Sequence, residues 1–226
     1  MNQEFSLQLA IVYLQQLRKV IQTNKVFYLS FVFIWLLGLS VQFTFTQFQI
    51  SIFINGLYST LGDVLMNYTT YTGDGFFLVL VGIILVFINR KLWLVTLLCL
   101  LVPSLITQLL KHFVFEDSHR PVTIMREIQG LHFVEGVEMN AYNSFPSGHT
   151  TAAFSLYTLL ALLHKNKKLG WVWVIIASSI AISRVYLLQH FWADIIAGSI
   201  LAVCMVTFIY TFFAAKLRID EITTNQ

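Results

Sequence analysis

The sequence predicts an all-α, polytopic membrane protein, a six-transmembrane-helix bundle with its polar site at the extracytoplasmic face. Three observations predict it. Only 11% of the 226 residues are charged and 57% are hydrophobic, where a soluble domain carries about 25% charged residues; the mean hydropathy is +0.74. The apolar residues gather in long runs of Leu, Ile, Val and Phe without strict alternation, which favours helices over a barrel. Lys and Arg recur in alternate connections between those runs, the pattern that fixes membrane topology.

The six runs cover residues 26–43, 75–88, 92–110, 150–163, 171–188 and 191–214. Arg18, Lys19 and Lys25 precede the first. The second opens after Tyr71-Thr72-Gly73-Asp74-Gly75, and Arg90 and Lys91 join it to the third. Lys165, Lys167 and Lys168 join the fourth to the fifth, and Lys216 and Arg218 follow the sixth. Residues 44–74 contain no Lys or Arg and read as an outer loop. The positive-inside rule therefore places both termini in the cytoplasm and the first, third and fifth connections outside. The runs 75–88 and 150–163 fall short of the about 20 residues of a full crossing, so they must extend into polar flanks or cross a thinner part of the bundle.

Three segments result: a cytoplasmic segment 1–25, a membrane domain 26–215 and a cytoplasmic tail 216–226. The first carries Phe5, Leu7, Leu9, Ile11, Val12, Leu14, Leu17, Val20 and Ile21 among Gln and basic residues. It reads as an interfacial amphipathic helix or as a plain helical lead-in. The polar start and the long first run favour a retained span over a cleaved signal. Cys99 and Cys204 lie within apolar runs, as small buried hydrophobes. A net charge of +3, not spread over one face, speaks for topology and against a nucleic-acid partner.

Polar groups kept at a membrane mark a site by default, and three clusters fall on the same predicted side. Lys111 ends the third run, with Arg120-Pro121 beyond it; Pro146-Ser147-Gly148-His149 leads into the fourth run; Ser183-Arg184 ends the fifth, and His190 with Asp194 opens the sixth. Lys111, Arg120 and Arg126 break the positive-inside pattern there, as cations with an anionic ligand would. A carboxylate four residues after His190 can hold one ring nitrogen and leave the other as a lone pair for attack on phosphorus. Alone, the spacing speaks more for a structural His–Asp pair closing a helix end. Ser147 can cap a helix whose free N–H groups face an anion, with His149 beside it as general acid or base; an ordinary cap is the alternative. Arg120 and Arg184 can grip phosphate in a fork and Lys111 as a point charge, although a lysine at a span end also snorkels. His112, His119, His132, His149, His164 and His190 show no metal-site spacing and no nearby Cys, so neither a metal nor another cofactor is expected.

Together these residues resemble the type 2 phosphatidic acid phosphatase family of membrane lipid phosphatases. Its motifs are Lys, six residues, Arg-Pro; Pro-Ser-Gly-His; and Ser-Arg, five residues, His, three residues, Asp. The second and third stand intact here; the first has eight residues between Lys111 and Arg120. A two-residue bulge would absorb the difference. The resemblance covers residues 111–194. It implies that His190 attacks phosphorus and forms a phosphohistidine, that Asp194 orients it, and that His149 protonates the leaving oxygen and then activates water. It further implies that Lys111, Arg120, Ser147, Gly148 and Arg184 hold the phosphate, without a metal. The expected partners are the bilayer and a phosphorylated or pyrophosphorylated lipid: undecaprenyl pyrophosphate, phosphatidylglycerol phosphate, phosphatidate or a lipid A phosphate. The expected location is a bacterial cytoplasmic membrane with the site on its outer side. The competing readings are a soluble vanadate-dependent haloperoxidase, against which the spans argue, a non-catalytic lipid-phosphate binder or transporter, and a membrane scaffold.

Overall fold

The computed structural model describes residues 3–217, so the last nine residues of the expected tail lie outside the described residues. Among the described residues the chain is all helical, with no strand. The helices are α1 (Gln3–Thr23), α2 (Lys25–Thr44), α3 (Gln47–Asn55), α4 (Thr60–Tyr71), α5 (Gly75–Ile88), α6 (Trp93–Phe113), α7 (Pro121–Ile124), α8 (Gly148–Leu163), α9 (Gly170–Tyr186) and α10 (Trp192–Leu217).

Each of the six apolar runs coincides with a helix: α2, α5, α6, α8, α9 and α10. Four are long and apolar enough to cross a membrane, α6 and α9 each with the short turn before it. Helices α4 and α5 together make a fifth crossing, bent by 54° at Thr72-Gly73-Asp74. Helix α8 has only 16 residues. The expected six spans, two of them short, are thus four long helices, one bent pair and one short helix.

The short helix is the centre of the molecule. Every residue of α8 from Thr150 to Leu162 is buried except Leu160, and α6, α9 and α10 pack around it. Lipid tails are as apolar as Leu, so close packing rather than transfer from water holds such helices together. A small residue permits it: Gly198 on α10 lies against Ser147, Thr150 and Thr151 at the start of α8, where an added Cβ would stand 2.8 Å from Ser147 O. Around α8 one set of side chains joins Phe27, Phe31, Phe154, Leu156, Ile180 and Val185, and another joins Val20, Val95, Cys99, Leu159, Leu162 and Tyr210.

Residues 44–74, expected as loop, fold into α3 and α4. A capping box starts α3: Thr46 Oγ1 accepts from Gln49 N–H while Gln49 Oε1 accepts from Thr46 N–H. Ser59 Oγ caps α4 by accepting from Gly62 N–H. Helix α1 packs on the bundle, its Tyr13 ring 5.5 Å from Phe208 of α10 and its Val20 buried, while Ile11, Val12, Leu14 and Ile21 stay exposed.

All three polar clusters come to one end of this frame. Lys111 closes α6, His149 opens α8, Arg184 closes α9 and Asp194 opens α10. The basic turns Arg90-Lys91 and Lys165–Lys168 lie at the opposite ends of the same helices. There Lys167 Nζ donates to Leu162 O at 2.7 Å, satisfying a carbonyl at the end of α8.

Candidate active site

The last turn of α6 buries Lys111, whose Nζ donates to Asn143 O at 2.7 Å. The chain leaves α6 at Phe113 and re-enters a helix at Pro121, where proline's fixed φ suits the first helical position. Arg120, just ahead, donates from Nε to Tyr142 O at 3.0 Å and from Nη1 to Gln189 Oε1 at 3.2 Å. Lys111 and Arg120 are therefore anchored on carbonyls of adjacent residues. Between them residues 114–119 run outside any helix, and Phe115 packs edge-on against Phe145.

Ser147 is the N-cap of α8, accepting from Thr150 N–H at 3.3 Å and from Thr150 Oγ1 at 2.9 Å. Its own N–H donates to Asp194 O at 3.0 Å, joining the start of α8 to that of α10. The N–H groups of Gly148 and His149 belong to the first turn, before any intrahelical bond forms. A Cβ at Gly148 would meet nothing within 4 Å, so open space lies over this helix end. His149 stands within electrostatic reach of Arg184, His190, Arg120 and Lys111.

Arg184 is buried in the last turn of α9; its Nη1 donates to Thr70 Oγ1 at 2.6 Å, and its Nε has no acceptor among the described residues. A buried guanidinium with an idle donor calls for an anion. His190 lies not in α10, as the sequence suggested, but in the turn that precedes it. Its N–H and that of Gln189 both donate to Arg184 O, and Leu188 takes φ 54° to close the turn, an uncommon state for a bulky residue. Asp194 sits in the first turn of α10, and its Oδ2 gathers Ser144 Oγ–H at 2.5 Å, Phe191 N–H at 2.9 Å and His190 Nδ1 at 3.2 Å.

With Nδ1 turned to Asp194, the lone pair of neutral His190 is on Nε2. Burial, then the charges of Arg120, Arg184 and Lys111, pushes the His190 imidazole well below the usual histidine range, so the neutral form prevails. All eight candidate residues thus meet at one end of the bundle. Three further residues belong with them: Ser144, Gln189 and Thr70 hold Asp194, Arg120 and Arg184 in turn. None carries a sequence signal, since isolated Ser, Gln and Thr are common anywhere. Asp74, exposed at the start of α5, lies within electrostatic reach of Arg184. Among the described residues no group of three His, Cys, Asp or Glu is placed to hold a metal ion.

The family described as the PAP2 superfamily matches residues 92–218, more than half of the chain and all three clusters. The chain belongs to the PAP2 superfamily. Over 94 residues, 42% of the chain and 43% of the relative, it is 33% identical to the bacitracin transport permease protein BcrC of Bacillus licheniformis. Over 75 residues, 33% of the chain and 37% of the relative, it is 35% identical to the undecaprenyl-diphosphatase BcrC of Bacillus subtilis. The chain spans about two fifths of the length of these relatives. The fold is similar to the crystal structure of Aquifex aeolicus LpxE, with TM-score 0.61 and 22% identity over 74% of the chain and 94% of that structure. It is also similar to the first transmembrane PAP2 type phosphatidylglycerolphosphate phosphatase from Bacillus subtilis, with TM-score 0.61 and 25% identity over 84% and 96%.

Proposed function

We propose that this PAP2 chain is an integral-membrane phosphatase that hydrolyses a lipid phosphate monoester or diphosphate through a phosphohistidine. The observation that carries the reading is the His190–Asp194 pair facing an anion site built from Lys111, Arg120, Arg184 and the α8 N-terminus. His190 Nε2 attacks phosphorus and the bond to the leaving oxygen breaks. His149 gives that oxygen its proton, then takes one from the water that displaces phosphate from His190. Asp194 accepts a hydrogen bond from Nδ1–H throughout, and its negative charge stabilises the charge that develops on the ring. Lys111, Arg120, Arg184 and the first turn of α8, shaped by Ser147 and Gly148, hold the phosphate oxygens as charge spreads over them.

The cations that neutralise the phosphate do the work a metal would do elsewhere, so the reaction is metal-independent on this reading. The candidate substrates are undecaprenyl pyrophosphate, phosphatidylglycerol phosphate, phosphatidate and lipid A phosphates. The similarity to a protein named undecaprenyl-diphosphatase supports testing the first of them first. The basic turns at the far end of the helices support a cytoplasmic location for that end and an outward-facing site. The segment division at 25/26 and 215/216 is proposed with it.

The test is phosphate release by purified protein in detergent with excess EDTA, across these four lipids, beside His190→Ala. Release that resists EDTA and vanishes in the variant supports the reading. Binding of phosphate lipid by both proteins, without release by either, would replace it with a binder or transporter.

A further inference from the structure

The segment between Arg120 and Ser144 borders the candidate site: its two ends are tied there, and Met139 Sδ accepts from Gln189 Nε2 at 3.2 Å. Its middle is mostly exposed from Arg126 to Glu138. Gly130 (φ 87°) and Gly136 (φ 80°) turn the chain on either side of a short stretch, and His132 in that stretch is tied down elsewhere. His132 N–H donates to Asn55 Oδ1 at 2.8 Å, and His132 O accepts from Asn55 Nδ2 at 2.8 Å. Asn55, fully buried at the end of α3, also donates from Nδ2 to Tyr186 O at 2.9 Å. The Tyr186 hydroxyl donates to Asp63 Oδ1 at 2.6 Å, and Asp63 Oδ2 pairs with His132 Nε2 at 2.8 Å. The ring of hydrogen bonds closes, and Tyr58 stacks flat on His132, centroids 4.2 Å apart.

This ring shares its frame with the candidate site. Tyr186 lies two residues after Arg184 and four before His190. Helix α4 holds Tyr186 through Asp63 and Arg184 through Thr70, seven residues further along. Among the described residues no hydrogen bond takes the side chains of Asn55, Asp63 or His132 to Lys111, Arg120, His149, Arg184 or His190, so the ring supplies no chemistry; it ties the exposed segment to the helices that carry the site.

We infer that Asn55, Asp63, His132 and Tyr186 form a latch that positions residues 126–138 to capture the lipid headgroup, with His132 and Asp63 as positioning residues. The inference rests on the phosphatase reading above. His132→Ala removes the segment's tie to Asp63 and its stack on Tyr58, while the backbone bonds of residue 132 to Asn55, Asp63 on Tyr186 and Thr70 on Arg184 remain. His132→Gln keeps a side-chain N–H at similar reach to Asp63.

The experiment measures kcat and KM of both variants on undecaprenyl diphosphate and on the small soluble ester para-nitrophenyl phosphate, and the rate of tryptic cleavage after Arg126 in the same preparations. The expected result for His132→Ala is a KM raised about tenfold on the lipid. Lipid kcat and both constants on the soluble ester stay near wild type, cleavage after Arg126 is faster, and His132→Gln restores all of these. An unchanged lipid KM, a fall in kcat on both substrates alike, or failure of His132→Gln to restore KM overturns the capture role. If wild type turns over neither substrate, the phosphatase reading fails and the capture role with it. The tryptic rates then report separately whether the His132 side chain holds the segment, and equal rates in wild type and His132→Ala overturn its part in the latch.

Discussion

Asp194 is the residue on which most of the candidate site hangs. One oxygen takes bonds from Ser144, Phe191 and His190, so it fixes both the imidazole tautomer and the entry of the chain into α10. Asp194→Asn would present an amide to Nδ1, and the ring could turn its lone pair inward. The expected outcome is a kcat lower by about 10²–10⁴-fold with protein still extracted as a folded species, measured as phosphate release beside a thermal melt. His190 supplies a second prediction. Burial and three cations hold its pKa below the usual value, so neutral nucleophile persists as pH falls through about 6.5, and the ring protonates, losing its lone pair, only at lower pH. The acid limb of kcat/KM, which reports free-enzyme groups, should therefore fall below that value. An acid limb at or above it would contradict the environment described. Arg184 is the third case: Thr70 occupies one of its nitrogens and another is idle. Thr70→Val should raise KM severalfold by letting the guanidinium swing from the phosphate position, an effect of one neutral-to-charged hydrogen bond.

At the scale of elements, the junction of α8 with α10 decides whether the anion site exists. Ser147 N–H reaches Asp194 O, and Gly198 has no room for a Cβ against Ser147 O. Gly198→Ala must push the two helix starts apart, at a cost of about 1–3 kcal/mol for overpacking, and activity should fall more steeply than stability; a thermal melt and phosphate release on the same sample compare the two. The elements differ in how plainly the sequence announces them. Helices α2, α5, α6, α8, α9 and α10 were legible as apolar runs, because a membrane demands continuous hydrophobicity and helical hydrogen bonding at once. Helices α3 and α4 were not: residues 47–71 mix Gln, Asn, Thr and Asp with Phe and Ile, and only the Thr46–Gln49 box betrays a start. The Lys111, Arg120, His149, Arg184, His190 and Asp194 set was legible because its charge is costly at a membrane. The placement of His190 ahead of α10 was not, since that turn depends on Leu188 at positive φ, which a Leu-Leu-Gln-His stretch does not signal. The ring of Asn55, Asp63, His132 and Tyr186 was invisible for a simpler reason: its members are up to 131 residues apart and pair only in the fold.

The whole molecule is polarised along the axes of its helices. Cations with a candidate ligand gather at one end; cations without one, at Arg90, Lys91, Lys165 and Lys168, gather at the other. A membrane protein read by the positive-inside rule would keep the second set in the cytoplasm, which puts the candidate site outside and frees its product on that side. Labelling decides this. Cys99 is buried and Cys204 is exposed on α10 within the apolar part of the chain, so a membrane-impermeant maleimide should leave the wild-type chain nearly unlabelled in intact cells. A cysteine placed at Gln129, exposed in the segment that borders the site, should label in intact cells, and one at Lys165 should label only after the membrane is opened. The reverse pattern would place the candidate site in the cytoplasm. A diphosphate lipid displayed outside would then be beyond reach of the candidate site, and the choice among the four proposed substrates would have to start again from lipids exposed on the inner leaflet.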